Sequence, residues 1–190
     1  ARPAVRPGLG EQWAGVRAVF SHRRFWWIAP LFACCTGSLF AIQGLWSVPW
    51  LTEVSGYDRA VAARHLLSLG VAMLAGFLAL GLFATKAARH GLRSRHLFGL
   101  GFALHIAAFA AIFAQVPGTY AWWALYGLGA STNVLAFTVL NDGFVAGLAG
   151  RANTALNLLA FSGGFVTQWG IGLVVDAART ASDLDTAGGL

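Results

Sequence analysis

Five long apolar runs, each free of Asp, Glu, Lys and Arg, punctuate the chain: residues 25–51, 66–85, 97–116, 121–140 and 152–175. An α-helix rises 1.5 Å per residue, so about 20 apolar residues cross a hydrocarbon core. Each run is therefore predicted to be a transmembrane helix. The segments between them are polar or turn-forming. Lys86, Arg89, Arg93 and Arg95 lie between the second and third runs, and each would cost roughly 2.5–3.5 kcal/mol at a bilayer centre. Pro117-Gly118-Thr119 is a turn signal, and Gly143 and Gly147 loosen the link between runs four and five. The pattern predicts an all-α fold, a polytopic bundle of five transmembrane helices over residues 25–176. A loop over residues 1–24 precedes the bundle, and residues 177–190 form a tail after it.

Composition agrees. Of 190 residues, 57% are hydrophobic and 11% charged, against roughly 25% charged in soluble domains. The mean hydropathy is +0.65, more apolar surface than a water-soluble fold of this size can hide. Lipid is the expected solvent. The net charge of +6 would suggest nucleic acid in a soluble protein. Here the cations lie outside the runs, and flanking spans would crowd out a duplex, so no nucleic-acid partner is expected.

The cations instead assign sides. Arg2, Arg6, Arg17, Arg23, Arg24, Lys86, Arg89, Arg93, Arg95 and Arg151 fall on one side of the alternating loops, and Arg59, Arg64 and Arg179 on the other. The positive-inside rule places the first set in the cytoplasm and the 177–190 tail outside it. Trp26, Trp27, Trp50, Trp122 and Trp123 sit near run ends, as an aromatic belt requires. The first 24 residues carry no apolar segment with a cleavage site, so no signal peptide is expected. Cys34 and Cys35 are adjacent and point about 100° apart on a helix, which argues against a disulfide between them. They lack metal-ligand spacing, and they are expected to pack.

Polar residues within spans carry the functional candidates. Projected at 100° per residue, Thr36, Gln43, Ser47 and Trp50 share one stripe of the first run. Trp122, Tyr126, Gly129, Asn133 and Phe137 share one of the fourth, and Asn153, Asn157, Gly164, Thr167 and Gln168 one of the fifth. Two readings fit these faces. The amides and hydroxyls either hydrogen-bond between helices, or line a water-accessible cavity and contact a small solute. Asn153, near a run end, reads as a cap or gate. The cavity candidates are Thr36, Gln43, Trp50, Tyr126, Asn133, Asn157 and Gln168. His105 is the one readily titratable group deep in a run. It reads either as a proton relay or as a packing histidine bonded to a neighbouring carbonyl. Glycines such as those of "GLG" at 99–101 and 127–129 read as helix-packing positions. No metalloprotease, nucleophile-elbow, paired-carboxylate or phosphate-loop pattern is present. Neither an enzyme nor a cofactor or metal is expected.

Gly81, followed after three residues by Thr85-Lys86-Ala87-Ala88-Arg89-His90, resembles the cytoplasmic loop motif G-x-x-x-D-[RK]-x-G-R-[RK] of the major facilitator superfamily. Gly81, Lys86 and Arg89 match. Thr85 replaces the Asp, Ala88 the Gly and His90 the final base. "AIQGLWSVPWLTEVSGYDRA" and "GRANTALNLLAFSGGFVTQWGIGLVVD" are similar to helices 7 and 11 of bacterial members. The resemblance implies that the five runs correspond to helices 7–11 of a twelve-helix transporter. They would pair with an N-terminal six-helix half and move a small solute by alternating access, in a bacterial inner membrane. It also implies a cytoplasmic gating set of Gly81, Lys86, Arg89, Asp142 and Arg151, with Arg89 paired to Asp142 in place of the missing motif Asp. Helices 7, 8, 10 and 11 would line the cavity and helix 9 would be peripheral, so His105 would not touch solute. No acid lies within the runs, so any proton-coupling carboxylate would belong to the other half. The alternative is a membrane-embedded structural or accessory subunit whose polar faces only join helices. A haem or redox enzyme is a third class, disfavoured by the single deep histidine.

Overall fold

In the computed structural model, residues 8–187 are described, with side chains up to Thr180 apart from Ala146. All regular structure among them is helical: α1 Leu9–Phe20, α2 Arg23–Val54, α3 Arg59–Arg89, α4 Ser94–Phe113, α5 Thr119–Asn141 and α6 Ala146–Ala187. Helices α2 to α6 are long and apolar enough to cross a membrane; α2, α3, α5 and α6 each contain a whole apolar run, and α4 carries the third run except its last three residues, 114–116.

Three boundaries depart from the expected ones. Residues 1–24 are not simply a loop, because α1 forms there. Gly15 and Val19 of α1 are buried, while Leu9, Trp13 and Val16 line an exposed stripe. Arg2 and Arg6 lie outside the described residues. Helix α3 starts at Arg59, seven residues before the apolar run, because the Asp58 carboxylate accepts from Val61 N at 2.8 Å and caps it. The expected tail continues α6 as helix to Ala187; residues 188–190 lie outside the described residues.

Helix α2 is irregular in its second half. Ser47 N–H donates to Ile42 O and Ser55 N–H to Trp50 O, closing two wide π turns, Ile42–Trp46 and Trp50–Val54. Pro49 lies between them. It has no N–H, and its ring disfavours a regular turn around residue 45, which gives the distortion a local cause. Helix α5 tightens into a 3-10 turn at Thr132–Val134.

Glycines set the helix spacing. A Cβ on Gly127 would collide with the backbone of Leu69 on α3. One on Gly129 would lie 2.7 Å from His105 N and 2.8 Å from Gly101 O, both backbone atoms of α4. These glycines lie on opposite sides of α5, which runs between α3 and α4. On the far side of the bundle, a Cβ on Gly37 would lie 2.7 Å from the carbonyl carbon of Gly163, so α2 and α6 also cross backbone to backbone. Such close approach is how helices associate where lipid removes the hydrophobic drive between them.

The α3–α4 connection is tight. Gly91 takes φ +86, and Leu92 N–H and Gly91 N–H donate back to Ala87 O and Ala88 O at 3.0 and 3.1 Å. This double bond pattern with a left-handed glycine ends α3 and reverses the chain at once.

The apolar interior is divided in two. One cluster joins Val19, Phe25, Phe32, Phe98, Leu140 and Leu156 at the end that carries α1 and the α3–α4 turn, here termed the basic end. The other joins Leu39, Leu51, Leu69, Ile112, Trp123 and Tyr126 towards the opposite end.

Candidate functional site

Between the two clusters α2, α4 and α5 place polar groups at one level. Asn133 Nδ2 donates to Thr36 Oγ1 at 3.0 Å, joining the 3-10 turn of α5 to α2. One turn away, His105 is fully buried. Its Nδ1 lies 3.2 Å from Tyr126 O, its Nε2 lies 3.0 Å from Ser38 Oγ, and its ring stacks on that of Tyr126 at 4.1 Å. A carbonyl only accepts, so Nδ1 carries the hydrogen. Ser38 Oγ also lies 3.0 Å from Cys35 O, so its single hydrogen is shared between two acceptors.

Two side-chain atoms of this layer, Asn133 Oδ1 and Tyr126 OH, are buried with no hydrogen-bond partner in the protein. Unpaired buried polar atoms cost about 1–3 kcal/mol each and call for an explanation.

The remaining candidates are distributed unevenly. Gln168 Nε2 donates to Phe40 O at 3.4 Å, joining α6 to α2. Gln43 and Asn157 are exposed and do not join the layer. Trp50 does not join the layer; it packs on the second apolar cluster and stacks on Phe113 of α4 at 5.2 Å. Ser47 is buried. Thr167 bonds Gly163 O within its own helix. Asn153 is half-buried with Oδ1 unpartnered. Both cysteines are free, Cys34 exposed and Cys35 buried.

The expected gating set is not assembled. Gly81, Lys86 and Arg89 are exposed on α3, and Asp142 is exposed at the end of α5. Among the described residues Arg89 and Asp142 form no ion pair. The side chain of Arg24 instead lies against Gly143, next to Asp142, and His22 packs its ring 4.6 Å from Phe144. Arg151 donates to Gly147 O at 3.3 Å and lays its side chain across Gly15 of α1.

Comparison of the chain with family models, with curated proteins and with solved structures returns no match.

A second polar cluster, not anticipated from the sequence, closes the end opposite the basic one. His65 of α3 is fully buried. Its Nδ1 lies 2.8 Å from Val61 O and so carries the hydrogen, while Nε2 accepts from Thr119 Oγ1 at 2.9 Å. Thr119 Oγ1 in turn lies 3.3 Å from Tyr57 OH. Tyr57 and Tyr120 stack on the two faces of the imidazole, with centroids 5.0 and 3.8 Å away. Tyr57 and Thr119 also line a cavity of about 180 Å³ with Trp50 and Trp123. The signal for this cluster was Asp58, whose cap extends α3 far enough to carry His65 inside the bundle. His65→Ala is expected to lower stability in detergent by about 2 kcal/mol, by loss of both packing and a buried hydrogen-bond partner. The exposed control His90→Ala should stay within about 0.5 kcal/mol. Denaturant titration followed by helicity reads both.

Proposed function

We propose that this chain is part of a secondary active transporter of the major facilitator type. It would act with a six-helix partner half, moving a small solute across a bacterial inner membrane with the basic end in the cytoplasm. What carries the reading is a coincidence in depth. The 3-10 turn of α5 and its unpartnered Asn133 Oδ1 lie level with Thr36, within two turns of the first π turn of α2. In lipid, irregular backbone is tolerated where it is buried or lines a cavity, and transporters build their binding sites from interrupted helices near the midplane. Asn133 and Tyr126 would meet the solute. Gln43, Asn157 and Gln168 would contribute from the face turned to the partner half. His105, caged between α2, α4 and α5, would hold those helices in register.

A full alternating-access cycle needs two bundles. Liposomes holding only this chain are therefore expected to show no solute uptake above empty liposomes, while the bundle joined to its partner half should show it. Uptake by this chain alone would sink the proposal. A second reading, a structural subunit without transport, draws on the Thr36–Asn133 and Phe40–Gln168 bonds, which join helices as glue does. The first step is to sequence the coding DNA on both sides of this segment. About six further apolar spans upstream would favour the transporter, and a start codon at the segment boundary would favour the subunit.

A further inference from the structure

Helices α3 and α4 are joined by a short turn yet barely touch one another; both lean on α5 instead. A groove of about 330 Å³ lies between them in the half of the bundle nearer the basic end. Phe83 and Ala87 of α3 and Leu97 and Leu100 of α4 form its walls, and Ser131 and Thr132 of α5 lie in its floor. The two floor hydroxyls donate to Leu128 O and Gly129 O of their own helix, at 2.7 and 2.8 Å. The groove thus offers hydrocarbon surface and no free polar group from its floor.

Charge is arranged unevenly around its mouth. Lys86 lies on the last turn of α3, about 60° from Phe83 and about 100° from Ala87, and Arg93 is the extended residue that precedes α4, so both stand beside the mouth of the groove. Arg89 and Arg95 lie about 160° from Ala87 and Leu97 and point away. Among the described residues neither Lys86 nor Arg93 has a carboxylate partner. We infer that the α3–α4 groove holds an acyl chain of an anionic membrane phospholipid, whose headgroup phosphate is bound by Lys86 and Arg93. The inference rests on the spans lying in a bilayer and not on transport. Its chemistry is a hydrocarbon slot whose basic end carries two cations without carboxylate partners.

Native mass spectrometry of the purified chain in detergent, with equimolar phosphatidylglycerol and phosphatidylcholine of identical acyl chains, tests it. Phosphatidylglycerol should be retained roughly tenfold over phosphatidylcholine. K86Q/R93Q should bring the ratio to about one. R89Q/R95Q removes the same charge from the far faces and should leave the ratio unchanged. A84F, which fills the groove, should reduce retention of both lipids, and soluble glycerol phosphate should not compete. A wild-type ratio near one, or an equal loss in R89Q/R95Q, overturns the inference. So does a dimer that A84F dissociates, since the groove would then hold a second copy of the chain.

Discussion

Gly129→Leu is expected to leave little folded bundle. The added side chain would start 2.7–2.9 Å from the backbone of His105 and Gly101 on α4. Backbone inside a helix cannot step aside as a side-chain tip can. The helices would have to separate, and separation would also break the His105–Tyr126 contact one turn away. Overpacking a core costs about 1–3 kcal/mol, and a clash against a fixed backbone belongs at or above that upper end. Gly127→Leu against α3 and Gly37→Leu against α6 should behave alike. Gly99→Leu is the control. It lies on α4 two residues from Gly101, yet nothing stands within 4 Å of its Cβ position. Thermal unfolding in detergent should show a large drop for the first three and almost none for the fourth. Equal drops in all four would mean that glycine content, and not backbone crossing, sets the stability.

Asn133→Leu is expected to lower solute uptake tenfold or more in the assembled transporter while the bundle stays folded. The variant keeps side-chain volume and removes both the bond to Thr36 and the unpartnered Oδ1. An interhelical hydrogen bond in a membrane bundle contributes on average about 0.6 kcal/mol, at most about 1.7. Deleting the unpaired oxygen offsets part of that loss. Stability should therefore change by less than about 1 kcal/mol. A tenfold fall in uptake corresponds to about 1.4 kcal/mol at the transport step, so the two readouts separate. If unfolding shifts strongly and uptake per folded molecule does not, Asn133 is glue, and the structural-subunit reading takes over.

The helical spans could be read directly from the sequence because apolar length is a one-dimensional property. The packing role of Gly101, Gly127 and Gly129 was legible from their place inside apolar helices, but Gly99, read the same way, has nothing within 4 Å of its Cβ position, because position along a run does not tell which face meets a neighbour. The polar stripes fared less well. Thr36, Gln43, Ser47 and Trp50 align only if α2 is a uniform helix. Each π turn inserts a residue and rotates the rest of the helix by roughly 100°. Gln43 lies within the first π turn and is exposed, while beyond that turn Ser47 is buried and Trp50 delivered to α4. Pro49 marked the region as irregular, but a proline does not tell how many residues the distortion adds. Helix α1 escaped notice because its apolar stripe of Leu9, Trp13 and Val16 is short and sits among arginines. The Arg89–Asp142 pairing came from motif logic alone. In three dimensions Arg24, two residues into α2, approaches the α5–α6 turn instead.

The layer of Thr36, His105 and Asn133 also bears on how the bundle comes apart. Cooperative opening spreads through continuous packing and stalls where packing is interrupted. Residues 123–130 of α5 belong to one apolar cluster and residues 135–140 to the other, with the 3-10 turn between them. Backbone amides in these two stretches should exchange with deuterium as separate blocks, each with its own opening free energy. One end of the bundle can then loosen while the other stays shut.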